Sequence, residues 1–113
     1  PRGFFTMMGD EATAAVRTLE AAGADIVGAN CSLEGEDMVA LARVLRRGTG
    51  LPLLCQPNAG NPALRDGRPV YEQTPDRFAE HTARLFDLGV QAVGGCCGTT
   101  PDFIRALAAR VHG

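Results

Sequence analysis

The 113-residue chain has no apolar run approaching the ~20 residues that a membrane-spanning helix needs. Its N-terminus lacks the charged, apolar and small-residue zones of a secretory signal, so a cytoplasmic location is expected. It has no block of Lys or Arg, and with no Trp and a single Tyr it has no aromatic-rich basic stretch to track a phosphate backbone. Thirteen acidic against eleven basic residues give a net charge of -2, and neither nucleic acid nor a membrane is an expected partner. An initiator Met is also missing: the chain starts at Pro1, its first residues already read as strand, and it is expected to be a piece of something longer. What is present is ordinary, with 45% hydrophobic residues, enough for one core and a single domain over residues 1–113.

Apolar runs alternate with helical patterns, and Gly or Pro marks each boundary, which is the signature of βα units around a parallel sheet. Four units are predicted. The first has a strand near Gly3 to Thr6 and a helix from about Glu11 to Ala22, with Asp10 as N-cap and Gly23 as the stop. The second has a strand at Asp25 to Gly28, a loop from Ala29 to Gly35, and a helix from Glu36 to Arg47 ended by Gly48. Strand three is Leu51 to Gln56, followed by Pro57-Asn58-Ala59-Gly60 and a loop of more than a dozen residues, a length that usually serves function. Thr74-Pro75-Asp76 opens the next helix with a hydroxyl cap, a proline and an acid in the first turn, and Gly89 closes it. Strand four is Gln91 to Gly95, and Thr100-Pro101-Asp102 opens the last helix with the same device.

A weak internal repeat sets Leu19, Gly23, Val27, Gly28 and Cys31 over Leu85, Gly89, Val93, Gly94 and Cys97, at a constant offset of 66 residues. That offset spans two βα units, so Cys31 and Cys97 fall just past the C-terminal ends of two strands separated by one other. In a (β/α)₈ barrel, active sites form at that face, and alternate strands feed one interior layer. The two sulfurs are expected to meet, with Asn58 delivered to the same rim. Four βα units make half of such a barrel, which leaves open sheet edges prone to pairing with another chain.

Zn²⁺ prefers thiolates in tetrahedral array, and catalytic sites supply three protein ligands and leave one position open. Cys31, Cys96 and Cys97 make that count. Neighbours in an extended strand point to opposite faces, so Cys96 and Cys97 share a metal only if the backbone turns, which Gly94, Gly95 and Gly98 permit. Three thiolates make the metal a weak Lewis acid, unsuited to hydrolysis, but keep an entering thiol nucleophilic toward an activated methyl group. Other uses stay open: an adjacent Cys pair also serves as buried packing or as a redox pair. The glycine-rich run Gly94 to Gly98 before a helix also suits an anion, although no Lys or Arg lies in the turn. Asn58 either shapes a turn or contacts a ligand or metal. Cys55, inside strand three, and Met7 and Met8 are read as packing.

The segments Gly28-Ala29-Asn30-Cys31, Pro57-Asn58-Ala59-Gly60 and Gly94-Gly95-Cys96-Cys97-Gly98-Thr99-Thr100-Pro101 resemble the zinc-dependent homocysteine S-methyltransferase family, collinearly from about Thr6 onward. Within it, the segment from Pro57 to Pro101 looks most like the homocysteine-binding module of cobalamin-dependent methionine synthase. The resemblance implies the C-terminal half of a (β/α)₈ barrel, with the zinc on Cys31, Cys96 and Cys97 and the thiol of homocysteine methylated to methionine. It assigns substrate contacts to Asn58, Ala59 and Asn30, has Asn58 fill the open metal position when substrate is absent, and implies no catalytic residue beyond the metal site. Methylcobalamin, S-methylmethionine or betaine is the implied methyl donor. The family's N-terminal half barrel, which carries contacts to the amino-acid end of homocysteine, has no counterpart in these residues. The alternative is a non-enzymatic, zinc-binding half barrel that self-associates through its open edges.

Overall fold

The computed structural model describes residues 3–112. Its elements run α1 (Ala12–Ala21), β1 (Val27–Asn30), α2 (Gly35–Gly48), β2 (Leu53–Gln56), β3 (Pro62–Arg65), β4 (Arg68–Tyr71), α3 (Pro75–Asp87), β5 (Ala92–Val93) and α4 (Pro101–His112). Strands β1, β2 and β5 form a parallel sheet with β2 in the centre, and β3 and β4 form a separate antiparallel hairpin. The α/β class and the parallel order follow from the βα alternation, because parallel neighbours need a crossover that a helix supplies.

Side chains alternate across the sheet. Val27, Leu53 and Cys55 turn toward the helices and are buried with Met38, Ala42 and Leu45 of α2, Val16 of α1 and Leu85 of α3. On the other face Gly28, Leu54 and Ala92 form one row, Leu54 pairing with both, and this face is exposed. A methyl group on Gly28 would strike the Leu54 backbone carbonyl, so this close strand approach excludes any side chain there. A second apolar cluster joins Phe78 and Ala79 of α3 to Phe103 and Leu107 of α4, with the two phenyl rings edge to face at 5.5 Å.

Several sequence expectations are corrected. Among the described residues there are three parallel strands rather than four. Gly3 to Thr6 form only one antiparallel bridge, Phe5 to Glu11, because the chain turns back on itself: Gly9 N donates to Thr6 O at 2.9 Å and Thr6 N to Asp10 O at 2.8 Å. That turn satisfies backbone groups that a strand would have to pair with a neighbour. It also draws Asp10 away from the helix: its carboxylate accepts from the Thr6 hydroxyl at 3.2 Å, and Glu11 caps α1 by accepting from Thr13 N at 2.9 Å. Met7 and Met8 sit on the turn and are fully exposed, not packed. β1 lies two residues later than expected, and β5 is limited to two residues. The long loop after β2 contains the β3–β4 hairpin, turned at Asp66-Gly67, both with positive φ (53° and 76°), as a tight two-residue hairpin turn requires.

Other expectations match. α3 starts at Pro75 with the Thr74 hydroxyl accepting from Arg77 N at 3.2 Å, and α4 starts at Pro101. No helix among the described residues is long and apolar enough to cross a membrane.

The two kinds of methionine separate cleanly in a stability measurement. Met38, with 0% exposure, should cost about 2–5 kcal/mol on replacement by Ala, and Met8→Ala should stay within about 0.5 kcal/mol of the parent in denaturant unfolding.

Candidate metal centre

The residues that follow β2 organise this end of the sheet. Gln56 O accepts from Cys31 N at 3.0 Å on one side, and Pro57 O accepts from Cys96 N at 3.0 Å on the other. Asn58 N donates to Leu33 O at 2.8 Å, and Ala59 N donates to Cys97 O at 2.9 Å. The Asn58 side chain adds a third tie to the Cys96–Cys97 segment, its Oδ1 accepting from Cys97 N at 3.1 Å. Both cysteine-bearing segments are thus hydrogen-bonded to one central piece of backbone.

Two local conformations then aim the sulfurs. Cys96 to Thr99 form a β-turn in which Thr99 N donates to Cys96 O at 3.2 Å, and Gly98 takes φ 82° at the third position, as a type II turn demands. This is the turn that lets adjacent cysteines share one side. Gly98 is needed for space as well, since a methyl group there would lie 2.3 Å from Cγ of the Tyr71 ring. Cys31 and Ser32 also have positive φ (62° and 59°), a left-handed conformation that costs a non-glycine residue roughly 1–2 kcal/mol.

The Sγ atoms of Cys31, Cys96 and Cys97 all lie within 4.8 Å of one another, and Cys31 and Cys97 approach to 3.4 Å. A tetrahedral Zn²⁺ with bonds of about 2.3 Å sets its sulfurs about 3.8 Å apart, close to the 3.4 Å of the Cys31–Cys97 pair and inside the 4.8 Å within which all three lie. No His, Asp or Glu among the described residues joins the cluster, and an all-thiolate donor set selects zinc over hard ions such as Mg²⁺ or Ca²⁺. Cys31 and Cys96 are half-buried and Cys97 is exposed, which leaves the sulfurs reachable from solvent.

Hydrogen bonding separates the thiols. A hydrogen bond from Cys97, then the Ser32 backbone N–H and Cys96, hold the Cys31 thiol below the ordinary cysteine range. Cys97 is pushed up, first by its hydrogen bond with Cys31 and then by the negative charge on that sulfur. Cys55, on the buried face of β2, is raised by burial and stands apart from the cluster, as expected for a core residue.

The remaining expected residues divide. Asn30 lies beside the cluster, its amide nitrogen 3.8 Å from the Cys96 sulfur. Asn58 is 5% exposed and holds the Cys97 amide. Ala59, expected to touch substrate, has no exposed surface: its side chain packs in the cluster of Phe78 and Phe103, and only its amide serves the site. Tyr71, at the end of β4, was not marked by sequence reasoning. Its ring packs on Gly98, and burial, then the neighbouring Cys97, raise its phenol above the ordinary value. Being the only tyrosine was its sole signal.

With Cys31 brought against the two cysteines of the run Gly-Gly-Cys-Cys-Gly-Thr-Thr-Pro, comparison with known proteins decides the family. The profile of the homocysteine S-methyltransferases matches residues 3–111. The chain belongs to the homocysteine S-methyltransferase family. It is 40% identical over 106 residues to the methionine synthases of Mycobacterium leprae and Mycobacterium tuberculosis, a match covering 93% of this chain and 9% of each of those proteins. Among solved structures it is similar to the metallated form of the homocysteine methyltransferase MmuM from Escherichia coli, with TM-score 0.70 and 29% identity, covering 90% of this chain and 30% of that one. The oxidised form of MmuM is matched with TM-score 0.67 and 30% identity. The chain therefore spans a small part of the family members it matches.

In metal-free protein the thiols should be distinguishable by alkylation. Because its thiol is lowered, Cys31 carries more thiolate at a given pH and should be modified at lower pH than Cys97, with Cys55 slow throughout. Peptide mapping of the modified protein reads this out; coincident pH profiles for Cys31 and Cys97 would contradict it.

Proposed function

We propose that this chain supplies the zinc-binding part of a homocysteine S-methyltransferase, holding Zn²⁺ on Cys31, Cys96 and Cys97 for transfer of a methyl group to the thiol of homocysteine, giving methionine. The observation that carries this reading is three thiols within 4.8 Å of one another, Cys31 from the end of β1 and Cys96 and Cys97 from the glycine turn, in a chain of this family. Bound there, Zn²⁺ supplies a position at which a thiol binds as thiolate near neutral pH and stays nucleophilic.

The protein's own residues do the rest. Cys31, Cys96 and Cys97 would hold the ion at the solvent-reachable end of the sheet, and the backbone ties of Gln56 to Ala59 keep them there. Asn30, through its amide near the Cys96 sulfur, and Asn58, through the Cys97 backbone N–H, steady the cysteines, and both are assigned to substrate contact. With zinc held there, an entering thiol would bind as thiolate and would need no separate general base, in keeping with a cluster that contains cysteines alone.

The exposed row of Gly28, Leu54 and Ala92 fits the interior of a (β/α)₈ barrel of which residues 1–113 form the C-terminal half. The rest of the barrel then supplies the contacts that select homocysteine. The methyl donor belongs to the class of methylcobalamin, S-methylmethionine and betaine. A cytoplasmic location suits three free thiols this close, which persist where thiols are kept reduced. A second reading, a zinc-binding half barrel that self-associates without catalysis, is favoured only by the exposure of Leu54 (36%) and Ile26 (60%).

The protein should bind one zinc per chain, released below about pH 5 to 6 as the ligand thiolates are protonated. Cys→Ala at position 31, 96 or 97 should abolish tight binding, and Cys55→Ala should retain it; metal analysis after dialysis checks both. Within its complete polypeptide, the zinc-loaded protein should form methionine from homocysteine and a methyl donor. Zinc loading with no methionine from any of the three donors would favour the self-associating reading, which light scattering would then report as a defined oligomer.

A further inference from the structure

Away from the cysteines, a cleft of about 320 Å³ opens between the start of α2, the face of α3 and the segment after β4. Glu34, Glu36, Glu72, Gln73, Arg77 and His81 line it. His81 is 6% exposed, and its Nδ1 is buried without a hydrogen-bond partner; the Gln73 Oε1 atom is buried and unpartnered as well. Buried polar atoms are almost always paired, so two such atoms on one cleft call for an occupant.

The chemistry of the lining says which kind. Nδ1 of His81 faces Glu36 Oε1 at 3.8 Å, beyond hydrogen-bond reach but a gap that one bound ion spans. Gln73 adds a neutral oxygen acceptor. Glu72 is already paired with Arg65, and the remaining carboxylates, Glu34 and Glu36, outnumber Arg77. Glu36 lies in the first turn of α2. His81 packs directly on the start of α2, since a methyl group placed on Gly35 would lie 2.4 Å from its Cβ.

We propose that this cleft is a second cation site, separate from the cysteine cluster, in which His81 Nδ1, Glu36 and the Gln73 side-chain oxygen bind a divalent ion that accepts nitrogen and oxygen ligands. Such a donor set suits Mn²⁺ and its neighbours rather than a thiophilic metal. The ion ties the start of α2, four residues past Cys31, to α3 and to the segment following the hairpin. It thereby braces from outside the loops that carry the cysteine site.

The test is titration of the zinc-loaded protein with Mn²⁺, followed by electron paramagnetic resonance and by pulsed measurement of nitrogen coupling. One Mn²⁺ per chain should bind, with the coupling expected of an imidazole ligand. Loss of an outer-shell partner already weakens metal sites about 10- to 100-fold, so Glu36→Gln should weaken Mn²⁺ binding at least roughly tenfold. The Glu36 side chain is 64% exposed, so this variant should keep its fold and its zinc. His81→Leu should abolish the nitrogen coupling. Absence of bound Mn²⁺ up to about 1 mM, the weak end of protein sites for hard divalent ions, would mean that water alone fills the cleft and would overturn the proposal. Binding without nitrogen coupling, or unchanged in Glu36→Gln, would overturn it too.

Discussion

The backbone of Gln56 to Ala59 is the constraint on which the rest depends. It continues the central strand past the end of the sheet and is hydrogen-bonded on one side to Cys31 and Leu33 and on the other to Cys96 and Cys97. The positions of the cysteines are therefore set by strand register rather than by free loops, and a site on rigid elements holds its geometry better than one on loops alone. The helices beneath supply the apolar burial that keeps β2 in the middle, with Met38, Leu53, Cys55 and Leu85 wholly buried around it. Fold and site are one hydrogen-bonded unit.

The strain in the molecule is concentrated at the same place. Cys31 and Ser32 are two consecutive left-handed residues without being glycines, and they persist because Cys31 N is held by Gln56 and Leu33 N is held by Cys31 O at 2.6 Å. The result aims the Cys31 sulfur at Cys97 and the Ser32 N–H at the Cys31 sulfur, which favours the thiolate. Opposite, the type II turn at Gly98 costs little, because glycine accepts its φ and Tyr71 fills the space a side chain would take.

Much of this was legible in the sequence, for reasons that can be named. The 66-residue offset between Cys31 and Cys97 implied equivalent positions on alternate strands, and their sulfurs do lie 3.4 Å apart. Thr74-Pro75 and Pro101 marked helix starts because capping chemistry is local. What was missed depends on partners remote in sequence. A strand at Gly3 to Thr6 needs a neighbour to pair with, and without one the residues close a turn that exposes Met7 and Met8. Asp66-Gly67 signalled a hairpin, but Pro62 and Pro69 in its strands argue against sheet, and the pair is tolerated because both strands are edges. Tyr71 and the buried Ala59 became meaningful only once the hairpin and α4 were packed.

The most direct measurement of the central claim is X-ray absorption at the zinc edge of the loaded protein, before and after homocysteine is added. Three sulfur scatterers with one lighter neighbour, changing to four sulfurs with homocysteine, would agree with a three-cysteine site that accepts a substrate thiol. Fewer than three sulfurs at the outset, or a coordination shell that homocysteine leaves unchanged, would contradict it.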